Sequence, residues 1–150
     1  MTKQPEMCPC GSSKAFTDCC QSIIANDSAN SAEQLMRSRY SAFVLGDEAY
    51  LLKTWHPDTC PNDFQLGQSR WLGLTIHHAD TNTVHFSAAF HAGNKGMLLK
   101  ETSRFVCMDE HWRYIDGDCT VTNIKRNDLC FCGSAIKYKN CCGKRGSNEA

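Results

Sequence analysis

The sequence predicts an α+β fold in which helices pack on one side of a curved antiparallel sheet, flanked by two small cysteine-rich modules. Three observations support this prediction. Segments with helical periodicity lie between residues 31 and 57, and segments in which apolar and polar residues alternate lie between residues 71 and 124. One cysteine motif occurs before the helices and again after the strands.

The two helices have recognisable end signals. Ser31 is the expected N-cap with Gln34 at the capping-box position, and Gly46 is the expected left-handed residue at the end of the helix. Asp47 is positioned to cap a second helix, which Pro57 closes. Apolar residues recur at helical spacing in both segments. The polar residues assigned to the opposite side of the first helix are Glu33, Arg37, Ser38 and Ser41.

The strands are predicted from a period of two. One strand starts at Trp71, and Asp80–Thr83 fits a hairpin turn into the next. A long strand runs from Met97 to about Met108, and a fourth covers Trp112–Ile115 and ends at residues 116–118. Residues 119–124 either extend this strand or follow it. A shorter helical start is expected at Ser22–Ala25.

The cysteine motif is an internal duplication. Residues 8–20 and 130–142 both read C-x-C-G-S-x3-aromatic-x2-C-C, with the same spacing between all four cysteines. Eight of the eleven cysteines belong to these two copies. The other three, Cys60, Cys107 and Cys119, follow no motif and are expected to be buried as small apolar residues.

Composition limits the cellular setting. The formal net charge is zero, so no global field attracts the protein to nucleic acid or membrane. The first residues do not resemble a signal peptide, and no apolar run is long enough to span a bilayer. A cytoplasmic protein with reduced thiols is therefore predicted, and under these conditions grouped cysteines more often bind metal than form disulfides.

Four closely spaced thiolates suit a tetrahedral metal ion. A C-x-C pair chelates one ion if the chain turns sharply, which Gly11 and Gly133 permit, and the adjacent cysteine pair must come from a helix end or a turn. Phe16 and Tyr138 occupy matching positions and are expected to cover the two sites. A disulfide cluster, and iron or an iron–sulfur cluster held by the same thiolates, are the alternatives to zinc.

Both copies closely resemble the SEC-C motif, which is named for the C-terminal tail of the bacterial translocation motor SecA. The resemblance implies two Zn²⁺ sites. Their implied ligands are Cys8, Cys10, Cys19 and Cys20 in the first site, and Cys130, Cys132, Cys141 and Cys142 in the second. The SecA tail engages a secretion chaperone, so the resemblance also implies contact with a protein partner.

Nearly the whole chain resembles the bacterial YchJ-type proteins. The similarity is carried by residues 35–43, 50–57, 101–105 and 112–117, between the two cysteine motifs. It implies that the middle domain has the nuclear transport factor two-like fold, a cone of curved antiparallel sheet closed by helices. It implies no particular reaction. We accordingly divide the chain into an N-terminal zinc module (1–20), a cone-shaped domain (21–125) and a C-terminal zinc module (126–150).

A cone-shaped sheet offers an apolar pocket, which is a candidate ligand site. On the long strand, Glu101 and Ser103 share a face with Leu99 and Phe105. If that face lines the cone, Glu101 is suited to proton transfer. The remaining pocket candidates are aromatic: Tyr40, Trp55, Trp112 and Tyr114. The plainer alternative is that Glu101 pairs with an arginine and that the aromatic residues form the core.

The last segment is locally basic. Between residues 125 and 145 the only acidic residue is Asp128, whereas the basic residues are Lys125, Arg126, Lys137, Lys139, Lys144 and Arg145. These cations either offset the charge of the second thiolate site or form a contact surface for an anionic partner, such as a chaperone, ribosomal RNA or lipid headgroups.

The leading functional hypothesis is a binding or adaptor protein in which the zinc modules act as structural clips and contact surfaces, since four protein ligands leave zinc no open position. The rival is an enzyme or small-molecule carrier that uses the cone pocket, with zinc purely structural. A third hypothesis is a redox sensor whose thiolates oxidise and release the metal.

Overall fold

The computed structural model describes residues 7–67, 69–93, 95–130 and 136–141. Within these ranges, three α-helices precede a four-stranded sheet, and a short 3₁₀ turn lies in each cysteine module. The helices are α1 (Cys20–Asn26), α2 (Ala32–Leu45) and α3 (Glu48–Lys53), the strands are β1 (Arg70–Ala79), β2 (Thr83–Ala92), β3 (Lys95–Met108) and β4 (His111–Asn123), and the 3₁₀ turns are Phe16–Asp18 and Tyr138–Asn140.

The predicted starts of α2 and α3 and the predicted end of α2 are confirmed, whereas α3 ends at Lys53, before the Pro57 that was expected to close it. The Ser31 hydroxyl accepts a hydrogen bond from the Gln34 N–H at 3.1 Å, which satisfies one of the free donors at the start of α2. Gly46 ends α2 in the left-handed conformation, with φ 77°. The Asp47 carboxylate then caps α3 by accepting from the Tyr50 N–H at 3.1 Å. The predicted short helix after the first module is α1, and it begins at Cys20 itself.

The sheet is an antiparallel meander with the strand order β1-β2-β3-β4. The predicted α+β class, with helices on one face of an antiparallel sheet, is therefore confirmed. β4 is continuous and longer than the fourth strand predicted to end at residues 116–118, because residues 119–123 extend it. A β-bulge shifts the register between β3 and β4 at Arg104 and Phe105 of β3.

The main core lies between α2 and the inner face of the sheet. Leu35 and Tyr40 of α2 pack in one buried cluster with Phe86 of β2 and Phe105 of β3. Because side chains alternate across a strand, the neighbouring residues of β2, including His85 and His91, lie on the outer face. The sheet therefore has one face that is covered by helices and one that is available for other contacts.

A buried ion pair ties α1 to β4. Arg113 binds Asp27 in a two-pronged arrangement, with Nη1–Oδ1 at 3.0 Å and Nη2–Oδ2 at 2.8 Å, and only 8% of the Asp27 side chain is exposed. His111 Nδ1 donates to the Asp27 carbonyl oxygen at 3.1 Å, since a carbonyl oxygen only accepts. Asp27 also ends α1 in the left-handed conformation. The helix that carries Cys20 is thus held against the sheet edge by this carboxylate.

One assignment on α2 is corrected. Ser38 and Ser41 were placed with Glu33 and Arg37 on the side opposite the apolar stripe, yet both serines are fully buried. The physical reason is that α2 is covered on two sides: the sheet covers one, and α3 together with the first cysteine module covers the other. No helix within the described ranges is long and apolar enough to cross a membrane.

Candidate functional site

The four cysteines of the first module form a compact cluster. The sulfur atoms of Cys8, Cys10, Cys19 and Cys20 all lie within 4.8 Å of one another. Two of the separations are 3.7 Å, between Cys10 and Cys19, and 4.0 Å, between Cys19 and Cys20. Zinc–sulfur bonds of about 2.3 Å in a tetrahedron place the sulfurs about 3.8 Å apart. The cluster therefore fits a single tetrahedral metal ion, and its spacings are too long for disulfide bonds.

Local backbone geometry brings the four sulfurs together. Gly11 adopts φ 80°, which lets the chain turn directly after the C-x-C pair. The Met7–Ala15 bridge and the hydrogen bond from the Cys8 N–H to the Lys14 carbonyl close this turn. Cys19 ends the 3₁₀ turn and Cys20 starts α1, so the adjacent pair comes from a helix end, as predicted. Phe16 packs in the same buried cluster as the cysteines.

Contacts between the thiols of this cluster shift their pKa values in opposite directions. Hydrogen bonding with Cys10 and then with Cys20 lowers the pKa of Cys8, whereas hydrogen bonding with Cys10 and Cys8 raises the pKa of Cys20. Burial raises the pKa of Cys19. Four neighbouring thiolates are stabilised together only when a cation neutralises them, and a divalent metal supplies that charge when bound.

Helix α2 supports the cluster directly. The Ser41 hydroxyl lies 3.5 Å from the Cys8 sulfur, and Arg37 Nη1 donates to the Cys10 carbonyl oxygen at 2.7 Å. Within the module, the Ser12 hydroxyl lies 3.2 Å from the Cys19 sulfur. These groups surround the sulfurs in the manner of partners that orient metal ligands. The supporting roles of Ser41 and Arg37 were not predicted, because a helical pattern does not show which residues lie under a separate module.

The described residues of the second module repeat the backbone contacts of the first. The Leu129–Lys137 bridge matches Met7–Ala15, and the Cys130 N–H to Ile136 carbonyl bond matches Cys8 to Lys14. The 3₁₀ turns also match, because Cys19 and Cys141 end them with φ, ψ of −133°, −113° and −127°, −110°. Cys132 and Cys142 lie outside the described residues, so the second predicted ligand set is described only at Cys130 and Cys141.

The second module docks on the outer face of the sheet through Tyr138. Its hydroxyl lies 2.7 Å from His91 Nε2, and Arg70 Nη2 lies 2.9 Å from His91 Nδ1. Arginine only donates, so Nδ1 accepts and Nε2–H donates to Tyr138. Burial, and after it the charge of Arg70, lowers the pKa of His91. Tyr138 thus joins its module to the sheet, a role that its aromatic position in the motif did not reveal.

Gly96 provides the surface on which Tyr138 rests. A Cβ atom at this position would overlap the Tyr138 hydroxyl and would lie 2.7 Å from ring carbon Cζ. We therefore expect Gly96→Ala to undock the second module and to cost about 1–2 kcal/mol, the value of one hydrogen bond and part of the buried ring. Hydrogen–deuterium exchange of residues 128–141 should accelerate at least about tenfold.

The matched control for this variant is Gly67→Ala, because a Cβ at residue 67 meets no atom within 4 Å. The control should exchange like the native chain. Unchanged exchange in the second module of Gly96→Ala would show that Tyr138 does not depend on this close approach.

The second module leaves apolar and basic residues exposed. Leu129 is 69% exposed and Ile136 is 47% exposed. Lys125, Arg126 and Lys137 of the same segment are also exposed, and Lys139 is half-buried. The basic residues Lys144 and Arg145 lie outside the described residues. Two large apolar side chains among cations form a surface that differs from the first module, where the cluster is packed against α2.

A cavity of about 130 Å³ lies between α2 and the inner face of the sheet. Five of the six predicted pocket residues line it: Tyr40, Trp55, Glu101, Ser103 and Tyr114. The sixth, Trp112, is a correction. It pairs with Cys107 near the far end of β3 and packs against the core instead, because β4 carries it past the cavity. Arg39 also lines the cavity and was not predicted.

Glu101 does not pair with an arginine in the described part of the chain. Its Oε2 atom accepts hydrogen bonds from the Ser103 hydroxyl at 2.5 Å and from the Tyr114 hydroxyl at 3.2 Å. Burial raises the pKa values of Tyr40 and Tyr114, which keeps both phenols neutral. Instead of pairing with an arginine, Glu101 therefore belongs to a small network of hydroxyl groups that lines the cavity.

The cysteines outside the motifs are less buried than predicted. Cys107 and Cys119 are exposed, and Cys60 is half-buried. Cys107 lies near the exposed end of β3, and Cys119 lies on the exposed second half of the edge strand β4. Their positions at sheet margins explain why apolar character alone did not bury them.

Two family models match the chain. The YchJ middle NTF2-like domain matches residues 31–117, which span α2, α3 and the sheet up to the middle of β4. The SEC-C motif matches residues 126–144, which include the second module. The first cysteine module lies outside both matches.

Similar proteins cover nearly the full chain. A UPF0225 protein of Photorhabdus laumondii is 41% identical over 92% of this chain and 99% of its own length. A UPF0225 protein of Enterobacter sp. strain 638 is also 41% identical, over 93% of this chain and 99% of its own. The solution structure of a SEC-C motif containing protein from Rhodopseudomonas palustris superposes with a TM-score of 0.58 at 33% identity, covering 75% of this chain and 97% of that one.

Proposed function

We propose, since this chain belongs to the UPF0225 family and carries a YchJ middle NTF2-like domain, that it is a zinc-binding adaptor whose two modules have different roles. The first module acts as a structural clip on the middle domain. The second acts as a contact surface for a protein partner. The boundaries near residues 20 and 125 separate these three parts.

Two zinc sites are proposed, one in each module. The first uses Cys8, Cys10, Cys19 and Cys20, whose sulfur spacing supports it. The second uses Cys130, Cys132, Cys141 and Cys142, and the repeated backbone geometry supports it. Four thiolates close the coordination sphere, so each ion is structural and not catalytic. These ligands must stay reduced, which favours a cytoplasmic location.

The first module is suited to a structural role because its contacts are directed inward. Cys8 and Cys10 contact α2 through Ser41 and Arg37, and Cys20 is the first residue of α1. Cys10 and Cys20 are fully buried. A metal in this cluster would therefore hold α1 and α2 together from the side that the sheet does not cover.

The observation that carries the adaptor role is the exposed apolar pair on the second module. Leu129 pairs with Lys137 in a β-bridge, and Ile136 directly precedes Lys137. Exposed apolar patches rimmed by charge are typical of protein interaction sites. The surrounding cations favour a partner segment that combines acidic and apolar side chains.

Site-specific cross-linking tests this surface. A photo-reactive residue at Leu129 or Ile136 of the zinc-loaded full chain, expressed in bacterial cells, should form one reproducible protein adduct. The pair Lys137→Glu and Lys139→Glu should weaken the adduct several-fold by reversing the local charge. Mass spectrometry identifies the partner and shows whether its cross-linked segment is acidic.

The matched control carries the photo-reactive residue at Met108, another exposed apolar residue that lies far from the module on the β3–β4 turn. Equal adducts at Met108 would indicate non-specific labelling. Adducts with RNA instead of protein would replace the protein partner with a nucleic acid.

A further inference from the structure

The cavity beneath α2 has the size and lining of a ligand site. Its volume of about 130 Å³ is close to that of engineered cavities of about 150 Å³ that bind benzene. Most of its wall is aromatic or aliphatic, including Phe43, Trp71 and Leu99. None of these three residues belongs to the first cysteine cluster or packs against it, so the cavity is separate from the first proposed zinc site.

The Glu101 carboxylate in the cavity wall is held in a fixed orientation, but only one of its two oxygens accepts hydrogen bonds from the described residues. Both hydroxyl donors to Glu101 reach the same oxygen, Oε2. Among the described residues, Oε1 has no donor. The carboxylate rests directly over Gly117 of β4, where a Cβ atom would lie 2.8 Å from Glu101 Cδ. The Gly117 backbone and the two hydroxyls therefore fix the orientation of Glu101.

The Arg39 guanidinium in the cavity wall likewise donates from only one of its nitrogens to the described residues. Arg39 is 4% exposed, and its guanidinium lies between the rings of Trp55 and Tyr114, at 5.2 Å and 4.7 Å from their centroids. Its hydrogen bonds to the Leu51 carbonyl and the Thr54 hydroxyl both come from Nη1. No carboxylate in the described segments lies within 4.0 Å of it. A buried charge without an ionic partner is costly, so further acceptors are favoured here.

The pair of charges selects the kind of ligand. Glu101 repels anions and Arg39 repels cations, so a neutral molecule suits the space they share. A hydroxyl group both donates and accepts, which matches the free oxygen of Glu101 and the free N–H groups of Arg39. The apolar remainder of the wall favours a ring or short hydrocarbon.

We propose that this cavity binds a small neutral ring compound of about six to eight non-hydrogen atoms that carries one hydroxyl group, such as a phenol or a cyclic alcohol. The hydroxyl donates to Oε1 of Glu101, and its oxygen accepts from Arg39. The ring packs among the aromatic side chains. This function goes beyond the adaptor role and uses none of the proposed zinc ligands.

The test is titration of the zinc-loaded full chain with phenol, benzene and benzoate, followed by the NMR signals of the three indole N–H groups. We expect phenol to bind about tenfold more tightly than benzene, the change that one hydrogen bond to a charged group provides. Benzoate should bind more weakly than phenol. The signals of Trp55 and Trp71 should shift, and that of Trp112, outside the cavity, should not.

Glu101→Gln isolates the hydroxyl contact because it removes the charge while keeping the size of the side chain. It should weaken phenol binding about tenfold and leave benzene binding unchanged. Glu110→Gln, in the exposed β3–β4 turn, is the matched control and should change neither. Equal affinity for phenol and benzene, or no binding of any probe, would overturn the proposal. If Glu101→Gln does not fold, the ratio of phenol to benzene affinity in the native chain decides the matter.

Discussion

Replacing Cys20 with serine is expected to remove one of two zinc ions per chain and to lower the melting temperature by about 6–12 °C. Serine is a poor zinc ligand, and Cys20 is fully buried at the start of α1. Loss of the ion releases a module that contacts α2 at Ser41 and Arg37, which we expect to cost about 3 kcal/mol. For a chain of this size, each kcal/mol corresponds to about 2–4 °C.

Metal analysis and calorimetry on protein prepared without chelators measure both effects. Cys107→Ser is the matched control, because Cys107 is exposed and outside both motifs. It should keep two ions and the native melting temperature. Cys130→Ser should also lose one ion, yet lower the melting temperature by less than about 4 °C, because the described contacts of its module with the sheet centre on Tyr138.

Two outcomes would contradict this account. A native chain without metal would remove the zinc proposal altogether. Equal destabilisation by Cys20→Ser and Cys130→Ser would leave both ions structural but would remove the division of roles between the modules.

Replacing Asp27 with asparagine is expected to destabilise the fold by about 2–3 kcal/mol at neutral pH. The substitution removes the charge that balances Arg113 in a mostly buried pair, and an unbalanced buried charge is strongly unfavourable. Asparagine tolerates the left-handed backbone at this position, so the cost arises from the lost charge and not from strain. Denaturant unfolding of the native chain and the variant measures the difference.

The effect should depend on pH in a defined direction. Burial alone would raise the pKa of Asp27, but the hydrogen bonds and charge of Arg113, with smaller contributions from His111 and Lys53, outweigh burial and lower it. The stabilisation is therefore fully present above the ordinary aspartate pKa of about 3.9 and is lost as the pH falls through the lower folded value. The stability difference between the native chain and Asp27→Asn should still be present at about pH 5 and should shrink below about pH 4.

Asp118→Asn is the control for the ion pair. Asp118 binds Arg104 at 3.0 Å, but its side chain is 80% exposed, so water and salt weaken the interaction. We expect a much smaller loss of stability than for Asp27→Asn, because an exposed ion pair contributes little to folding. Similar losses for the two variants would show that the Asp27 pair is solvated in solution.

Local sequence rules predicted the helix ends and the strand periodicity because those signals act within a few residues. Ser31 with Gln34, Gly46 and Asp47 all have the capping roles that their positions indicated. The cavity residues Glu101 and Ser103 were found because β3 alternates regularly. Trp112 was misplaced, because alternation gives the face of a strand but not how far along the sheet the cavity extends.

Contacts between distant segments could not be predicted from local sequence signals. Ser41 lies 33 residues from Cys8, and His91 lies 47 residues from Tyr138. A serine on a helix and a histidine on a strand are common residues, and neither carries a local signal of its partner. Arg39 likewise carried no local signal, although its guanidinium lies between two aromatic rings.

The sequence by itself determined that two copies of one cysteine module enclose a helix-then-sheet domain, because repetition, capping and alternation are properties of short segments. Only the tertiary structure decided what each copy does within the fold. The first packs its sulfurs against α2, whereas the second rests one tyrosine on Gly96 and leaves Leu129 and Ile136 exposed. The two modules differ because their surroundings differ, and those surroundings are set by which surfaces of the middle domain the chain reaches at its two ends.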